Sequence, residues 1–129
     1  KDIEIVKEYG DIPLVNCYAG QLNQVFMNIL SNGIDALQDK GDLIIIRTQM
    51  EGNSWVKISI IDNGPGIEED IQKKLYDPFF TTKEVGKGTG LGMAISYQII
   101  VEKHGGFLNC LSELDRGTEF EIKIPIKSN

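Results

Sequence analysis

The residue types that carry most metal and redox chemistry are scarce here: one histidine, two cysteines and one tryptophan in 129 residues. Cys17 and Cys110 lie far apart, with no Cys-x-x-Cys and no companion histidine beyond His104. They read as two reduced thiols of a cytoplasmic domain, and nothing in the spacing supports a disulfide. No signal peptide is visible, and no apolar run approaches the roughly 20 residues of a membrane span. Basic residues are outnumbered 13 to 19, for a net charge of −6. That balance argues against a sequence-independent grip on nucleic acid, which needs a basic face to displace counterions. Repeats, low-complexity tracts and Pro/Ser-rich linkers are also missing, so residues 1–129 are read as one domain. Ile3, Ile5 and Val6 open a strand with no lead-in, and the domain is expected to be a module excised from a longer chain.

Glycine, by contrast, is plentiful and clustered. Residues 86–92 read Gly-Lys-Gly-Thr-Gly-Leu-Gly and run into an apolar helical stretch, while Asp62-Asn63-Gly64-Pro65-Gly66-Ile67 closes an earlier strand. Glycine lets backbone amides approach an anion, and a helix starting just beyond adds its partial positive charge, so phosphate is the natural guest. The common phosphate loops fail on spacing. In Gly-x-Gly-x-x-Gly the last position falls on Leu91, Met93 or Glu69, depending on the start. A P-loop needs glycine where Thr81 stands and Ser or Thr where Gly88 stands. The protein-kinase loop fails likewise, and neither His-Arg-Asp nor Asp-Phe-Gly occurs.

A strand is expected over 2–9, a loop over 10–18 and a helix over 21–38 that Gly41 stops. Leu22, Val25, Phe26, Ile29, Leu30, Gly33 and Leu37 form its apolar stripe. Asn28, Asn32 and Asp35 fall within about 60° of one another on a second, polar edge. Two strands, 42–50 and 54–62, form a hairpin around Glu51-Gly52-Asn53, and a short helix follows near 68–75. Residues 76–88 lack periodicity and read as a mobile loop. A helix over 89–104 is expected to bury Leu91, Ala94, Ile95, Ile99 and Val101, and strands 106–113 and 118–126 turn at 114–117. This order gives an α/β protein: a two-layer sandwich with a mixed sheet of about five strands and helices on one face.

Four segments in this order, Asn28 to Ala36, Asp62 to Ile67, Asp77-Pro78-Phe79-Phe80 and Gly86 to Gly92, resemble the asparagine box, first glycine box, phenylalanine box and second glycine box of the sensor histidine kinases. The resemblance runs from about Gln21 to Pro125. It implies the Bergerat-type ATP-binding fold shared with gyrase, a mismatch-repair ATPase and a heat-shock chaperone, with ATP and Mg²⁺ as ligands. Asp62 matches the carboxylate that accepts a hydrogen bond from the adenine 6-amino group, and Gly64 and Gly66 let the loop pass the base. Ile67 reads as core or pocket wall. Thr118 matches a threonine that supports the adenine site, or is an ordinary strand residue. Asn32 resembles the residue that gives Mg²⁺ an oxygen, which suits an ion that seldom uses an all-protein cage. Asn28 stands where gyrase-like ATPases carry a water-activating glutamate; an amide cannot act as a general base, so hydrolysis is expected to be slow. Asp35 departs from the basic residue many relatives place there, which leaves a phosphate contact from it in doubt.

Thr82, Lys83, Lys87 and the backbone of Gly88, Thr89, Gly90, Leu91 and Gly92 would form a lid over the triphosphate. Lys87 either neutralises phosphate or is simply solvated. Phe79 and Phe80 anchor the lid, dock on a partner domain or pack in the core. His104 lacks the neighbours of a phosphoacceptor and reads as a helix end before Gly105-Gly106. The acceptor is therefore expected on a separate helical dimerisation domain, with a response regulator as the further partner of the full kinase. The isolated domain is expected to be monomeric, without direct membrane contact, although a parent kinase could be membrane-anchored. A stand-alone serine kinase of the anti-sigma-factor type and a non-catalytic ATP-binding module are the alternatives.

Overall fold

A computed structural model describes residues 2–77 and 92–126. The chain forms β1 (Glu4–Tyr9), α1 (Ala19–Ala36), β2 (Leu43–Glu51), β3 (Trp55–Asp62), α2 (Glu69–Gln72), α3 (Gly92–Tyr97) running on as a π-helical segment (Gln98–Lys103), β4 (Phe107–Glu113) and β5 (Gly117–Pro125). One sheet holds all five strands in the order β1-β2-β3-β5-β4. It is mixed: β1 lies parallel to β2, and the other neighbours are antiparallel.

Strand alternation sorts the sheet into two faces. On the helix side the register stacks side chains in rows across β2, β3, β5 and β4. Thr48, Ile58, Ile122 and Leu108 make one row, and Ile46, Ile60, Phe120 and Cys110 the next. Leu22, Val25 and Ile29 of α1 and Ile99 and Ile100 of the π-helical segment complete the core over these rows. The last row, Ile44, Asp62, Thr118 and Ser112, turns polar at the sheet's end. The opposite face carries Lys57, Glu121, Lys123 and Glu51 as ion pairs, with Lys57 Nζ 3.2 Å from Glu121 and Lys123 Nζ 2.9 Å from Glu51. Trp55 and Phe107 meet there with ring centroids 5.2 Å apart.

The edge of β4 is guarded by side chains rather than by another strand. Gln72 Nε2 donates to the carbonyl of Ser112 at 3.3 Å and Tyr76 Oη to that of Leu108 at 3.3 Å. Two groups that could template pairing with a further chain are thereby occupied. α2 is shorter than the helix expected over 68–75; the chain leaves it through turns that place Tyr76 for this contact.

α1 begins at Ala19 and ends at Ala36, two residues earlier at each end than its apolar stripe implies. Leu37 is still fully buried, so the stripe persists into the turn that follows. The last helix departs further from expectation. The adjacent apolar residues Ile99, Ile100 and Val101 cannot share one α-helical stripe, and the backbone widens there so that Ile99 and Ile100 both reach the core. Ser96 and Met93 are the buried residues one and two turns earlier, while Ala94 and Ile95 are half-buried; Leu91 lies outside the described residues.

His104 ends this helix and does more. It is 4% exposed, its Nε2 accepts from the Tyr18 N–H at 3.0 Å and its Nδ1 lies 2.8 Å from the Ile99 carbonyl. A carbonyl only accepts, so the ring is the neutral tautomer protonated on Nδ1. The bond to Tyr18 satisfies a backbone donor at an α1 N-terminus that has no side-chain cap of its own.

At the other end of the sheet β5 starts with Gly117, at φ +123°, where a Cβ would collide with the Asp62 carbonyl and stand 3.1 Å from Asn63 Cα. Gly117→Ala is therefore expected to cost well over the ~1 kcal/mol of a positive-φ substitution alone. Gly52→Ala, at φ +64° with open space around it, is expected to cost about that amount and no more. Urea denaturation of both variants checks this; equal losses would contradict it.

Candidate functional site

The site grows from the polar row. Asp62 is the last residue of β3 and is 9% exposed, although a carboxylate seldom stays so buried without partners. Its Oδ1 accepts from the Gly64 N–H at 2.9 Å, and the N–H of Thr118, its register partner on β5, also donates to the carboxylate. Burial raises its pKa above the ordinary 3.8, and these two amides pull it part of the way back. Above it lies Gly33 of α1, where a Cβ would stand 3.7 Å from Asp62 Oδ2, an ordinary contact distance, so the helix packs closely over the carboxylate at this position.

The Asp62 to Ile67 loop is clipped down along its length. Asn63 Oδ1 accepts from the N–H groups of Asp42 and Leu43, each at 2.9 Å, which ties the loop to the start of β2. The Asp115 N–H donates to the Pro65 carbonyl at 2.7 Å, the Ile67 N–H to Ser112 Oγ at 2.8 Å, and Gln72 Nε2 to the Ile67 carbonyl at 2.7 Å. Gly64 stands close against Asp62, where a Cβ would come within 2.9 Å of Oδ1. Gly66 has a nearer reason to be glycine than a passing base: at φ +81° its Cβ would strike the Glu113 carbonyl of β4. An open cavity of about 530 Å³ borders the row, with Asp62, Gln72, Cys110, Ser112 and Thr118 among its lining. That size suits a small molecule.

Asn28 and Asn32 are half-buried on α1, and Asp35 is exposed at its last turn. Asn28 Nδ2 donates to Ser96 Oγ at 3.4 Å, a tie between α1 and α3. Among the described residues no group of three His, Cys, Asp or Glu side chains could hold a metal ion. Asn32, beside Gly33, carries one neutral amide oxygen, a ligand type that Mg²⁺ accepts. Thr82, Lys83, Lys87, Gly88, Thr89, Gly90 and Leu91 lie outside the described residues, as do Phe79 and Phe80, and Gly92 opens α3.

Sequence reading missed Ser112, Gln72 and Asn63. Ser112 was discoverable: once the turn at 114–117 is placed, alternation sets this polar residue on the helix-facing side, opposite Thr118. Cys17 and Cys110 are free, and burial, with the nearby Asp62 charge, pushes the Cys110 thiol up to about 11. It remains a protonated, unreactive wall of the site at neutral pH.

A second depression, of about 310 Å³, lies among Asn16, Cys17, Tyr18, Lys103 and His104. Both nitrogens of its histidine are already engaged within the protein. Among the described residues no helix is long and apolar enough to cross a membrane.

The Asp62 carboxyl holds its proton to higher pH in the fold than in the unfolded chain. Between the two values the folded state binds more protons, so stability falls as pH rises through that window, and the cost persists at pH 7. Asp62→Asn is expected to raise the melting temperature at pH 7 relative to the wild-type chain. The gain is expected to vanish below the unfolded value of 3.8. Calorimetric scans from pH 3 to 8 check this, and a variant less stable at pH 7 would contradict it.

Comparison with known proteins agrees with this architecture. The family model described as histidine kinase-, DNA gyrase B- and HSP90-like ATPase matches residues 18–128. Sporulation kinase E of Bacillus subtilis is 44% identical over 119 residues, which are 92% of this chain and 16% of that protein. The chain thus spans about a sixth of that relative's length. The nucleotide-free catalytic domain of histidine kinase ThkA superposes with a TM-score of 0.82 at 32% identity, covering 98% of this chain and 82% of the other. Full-length ShkA in complex with AMPPNP gives 0.85 at 26% identity, covering 98% and 26%. ThkA in complex with the response regulator protein TrrA gives 0.78 at 29%, covering 97% and 34%. The family model, the relatives and the shared fold agree: this chain belongs to the histidine kinase-, DNA gyrase B- and HSP90-like ATPase family.

Proposed function

We propose that this chain binds Mg²⁺-ATP with the adenine against Asp62 and presents the γ-phosphoryl group to a histidine on a separate helical domain of a two-component sensor kinase. The observation that carries the reading is the buried Asp62 carboxylate, held by the Gly64 and Thr118 amides at the polar end of the sheet. A buried acceptor of this kind is stabilised when a ligand donates to it, and the adenine 6-amino group is such a donor. The likeness to a kinase bound to AMPPNP supports the same ligand class here.

On this reading Asp62 orients the purine and Asn32 offers an amide oxygen to Mg²⁺, which when bound neutralises phosphate charge. Thr82, Lys83, Lys87 and the amides of residues 88–92 would supply donors and positive charge to the phosphates. Asn28 bonds Ser96 through its amide nitrogen and cannot take a proton from water, so the chain has no general base there and the γ-phosphoryl group is preserved for transfer. Positioning and charge neutralisation carry most of such catalysis. His104 is an unsuitable acceptor, being buried with both nitrogens in hydrogen bonds. The acceptor imidazole therefore comes from another domain, and a response regulator would receive the phosphoryl group in turn, as the ThkA complex with TrrA suggests by analogy.

Titration calorimetry with Mg²⁺-ATP tests this. ATP is expected to bind in preference to GTP, Asp62→Asn to weaken it by about 10- to 100-fold or more, the scale of a lost charged hydrogen bond, and Asn32→Ala to remove the Mg²⁺ dependence. The isolated chain is expected neither to autophosphorylate nor to hydrolyse ATP rapidly. No ATP binding, or stoichiometric phosphohistidine on this chain alone, would overturn the proposal.

A further inference from the structure

The polar row contains one residue that the binding of ATP does not by itself require. Ser112 Oγ sits among three hydrogen-bonding groups: the Ile67 N–H at 2.8 Å, the Gly117 carbonyl at 2.9 Å and Thr118 Oγ1 at 2.8 Å. The first can only donate and the second can only accept. Ser112 has a single hydroxyl proton, and the Gly117 carbonyl takes it. Thr118 must then donate its own proton to Ser112, towards β4 and away from Asp62 on the opposite neighbouring strand. Lone pairs are what remain on Thr118 Oγ1 for the Asp62 side. An ionised Asp62 likewise offers only lone pairs.

We propose that Ser112 is a positioning residue for base selection: by holding the Thr118 proton towards β4 it leaves two acceptors side by side, a pair that fits a purine 6-amino group and repels a 6-oxo group. This rests on the reading of the row as the purine site and adds to it the source of its selectivity. Carboxylate alone is an ambiguous reader of purines, because an aspartate also accepts well from the N1–H of a 6-oxo purine. The oriented threonine removes the ambiguity, since a carbonyl placed against it meets no proton. Without the Ser112 oxygen, the Thr118 hydroxyl is released to turn towards Asp62, where it competes with the 6-amino group for the carboxylate and can donate to a 6-carbonyl.

The test compares Mg²⁺-ATP with Mg²⁺-ITP, which carries a carbonyl at the 6-position and a proton on N1. Wild-type protein is expected to prefer ATP. Ser112→Ala is expected to cut that preference about 5- to 10-fold, the worth of one hydrogen bond changing sign, with ATP weakened and ITP strengthened. In a Thr118→Val background, which has no hydroxyl to turn, Ser112→Ala is expected to leave the preference unchanged. A purely structural Ser112, holding the loop through Ile67, would weaken both nucleotides equally in both backgrounds, and that result would overturn the proposal. If Ser112→Ala does not fold, Ser112→Cys keeps the volume with a much weaker acceptor, and the same shift in preference is required of it. Wild-type protein that binds neither nucleotide, or binds both alike, would instead refute the purine site beneath the proposal. Thermal scans with and without each nucleotide separate loss of fold from loss of selectivity.

Discussion

The burial of one carboxylate organises this end of the molecule. Two rows of the helix-facing sheet surface are mostly apolar and covered by α1 and the last helix, and the row beyond them ends in Asp62, Thr118 and Ser112. A charge in that place costs stability unless backbone amides face it, and Gly64 and Thr118 supply them. Other features follow from the same need. Gly117 lets β5 start directly beside the Asp62 carbonyl, and Gly64 lets the loop fold back onto Oδ1.

Around that centre the chain builds a rigid frame from loops. The Asp62 to Ile67 segment is bonded to the start of β2 by Asn63, to the β4–β5 turn at Asp115, and to Ser112 and Gln72 further on. Gln72 also occupies a carbonyl on the edge of β4, so one side chain serves both the glycine loop and the sheet margin. On the far side, His104 joins the end of the last helix to the start of α1, and Asn28 with Ser96 joins the same two helices along their length. The two helices are thereby fixed relative to each other.

Much of this was legible from residue order. The apolar stripe of α1, the β2–β3 hairpin and the final strand pair follow from periodicity and turn residues, and the architecture of a mixed five-stranded sheet with helices on one face follows from their sequence. Asp62 was legible as a strand-end carboxylate before glycines. Less visible were effects that depend on register. Ser112 looks like an ordinary strand serine until it is set opposite Thr118, and Gly66 looks like a base-proximal glycine until the β4 carbonyl that excludes a side chain there is in place. The π-helical widening at Gln98–Lys103 is a tertiary outcome: adjacent Ile99 and Ile100 both demand burial, and the helix gives way. His104 was read as a helix end, but its bond to the Tyr18 amide, 86 positions away, has no local signature.

The central claim is that the polar row at the sheet end is where nucleotide binds. Backbone amide NMR of the wild-type chain, titrated with Mg²⁺-ATP, tests it without any substitution. The account predicts that the largest shifts fall on Gly64, Gly117 and Thr118, together with the side-chain amides of Asn28 and Asn32. Unmoved signals from those residues, with shifts centred instead on Asn16, Tyr18 and Lys103 around the second depression, would contradict it.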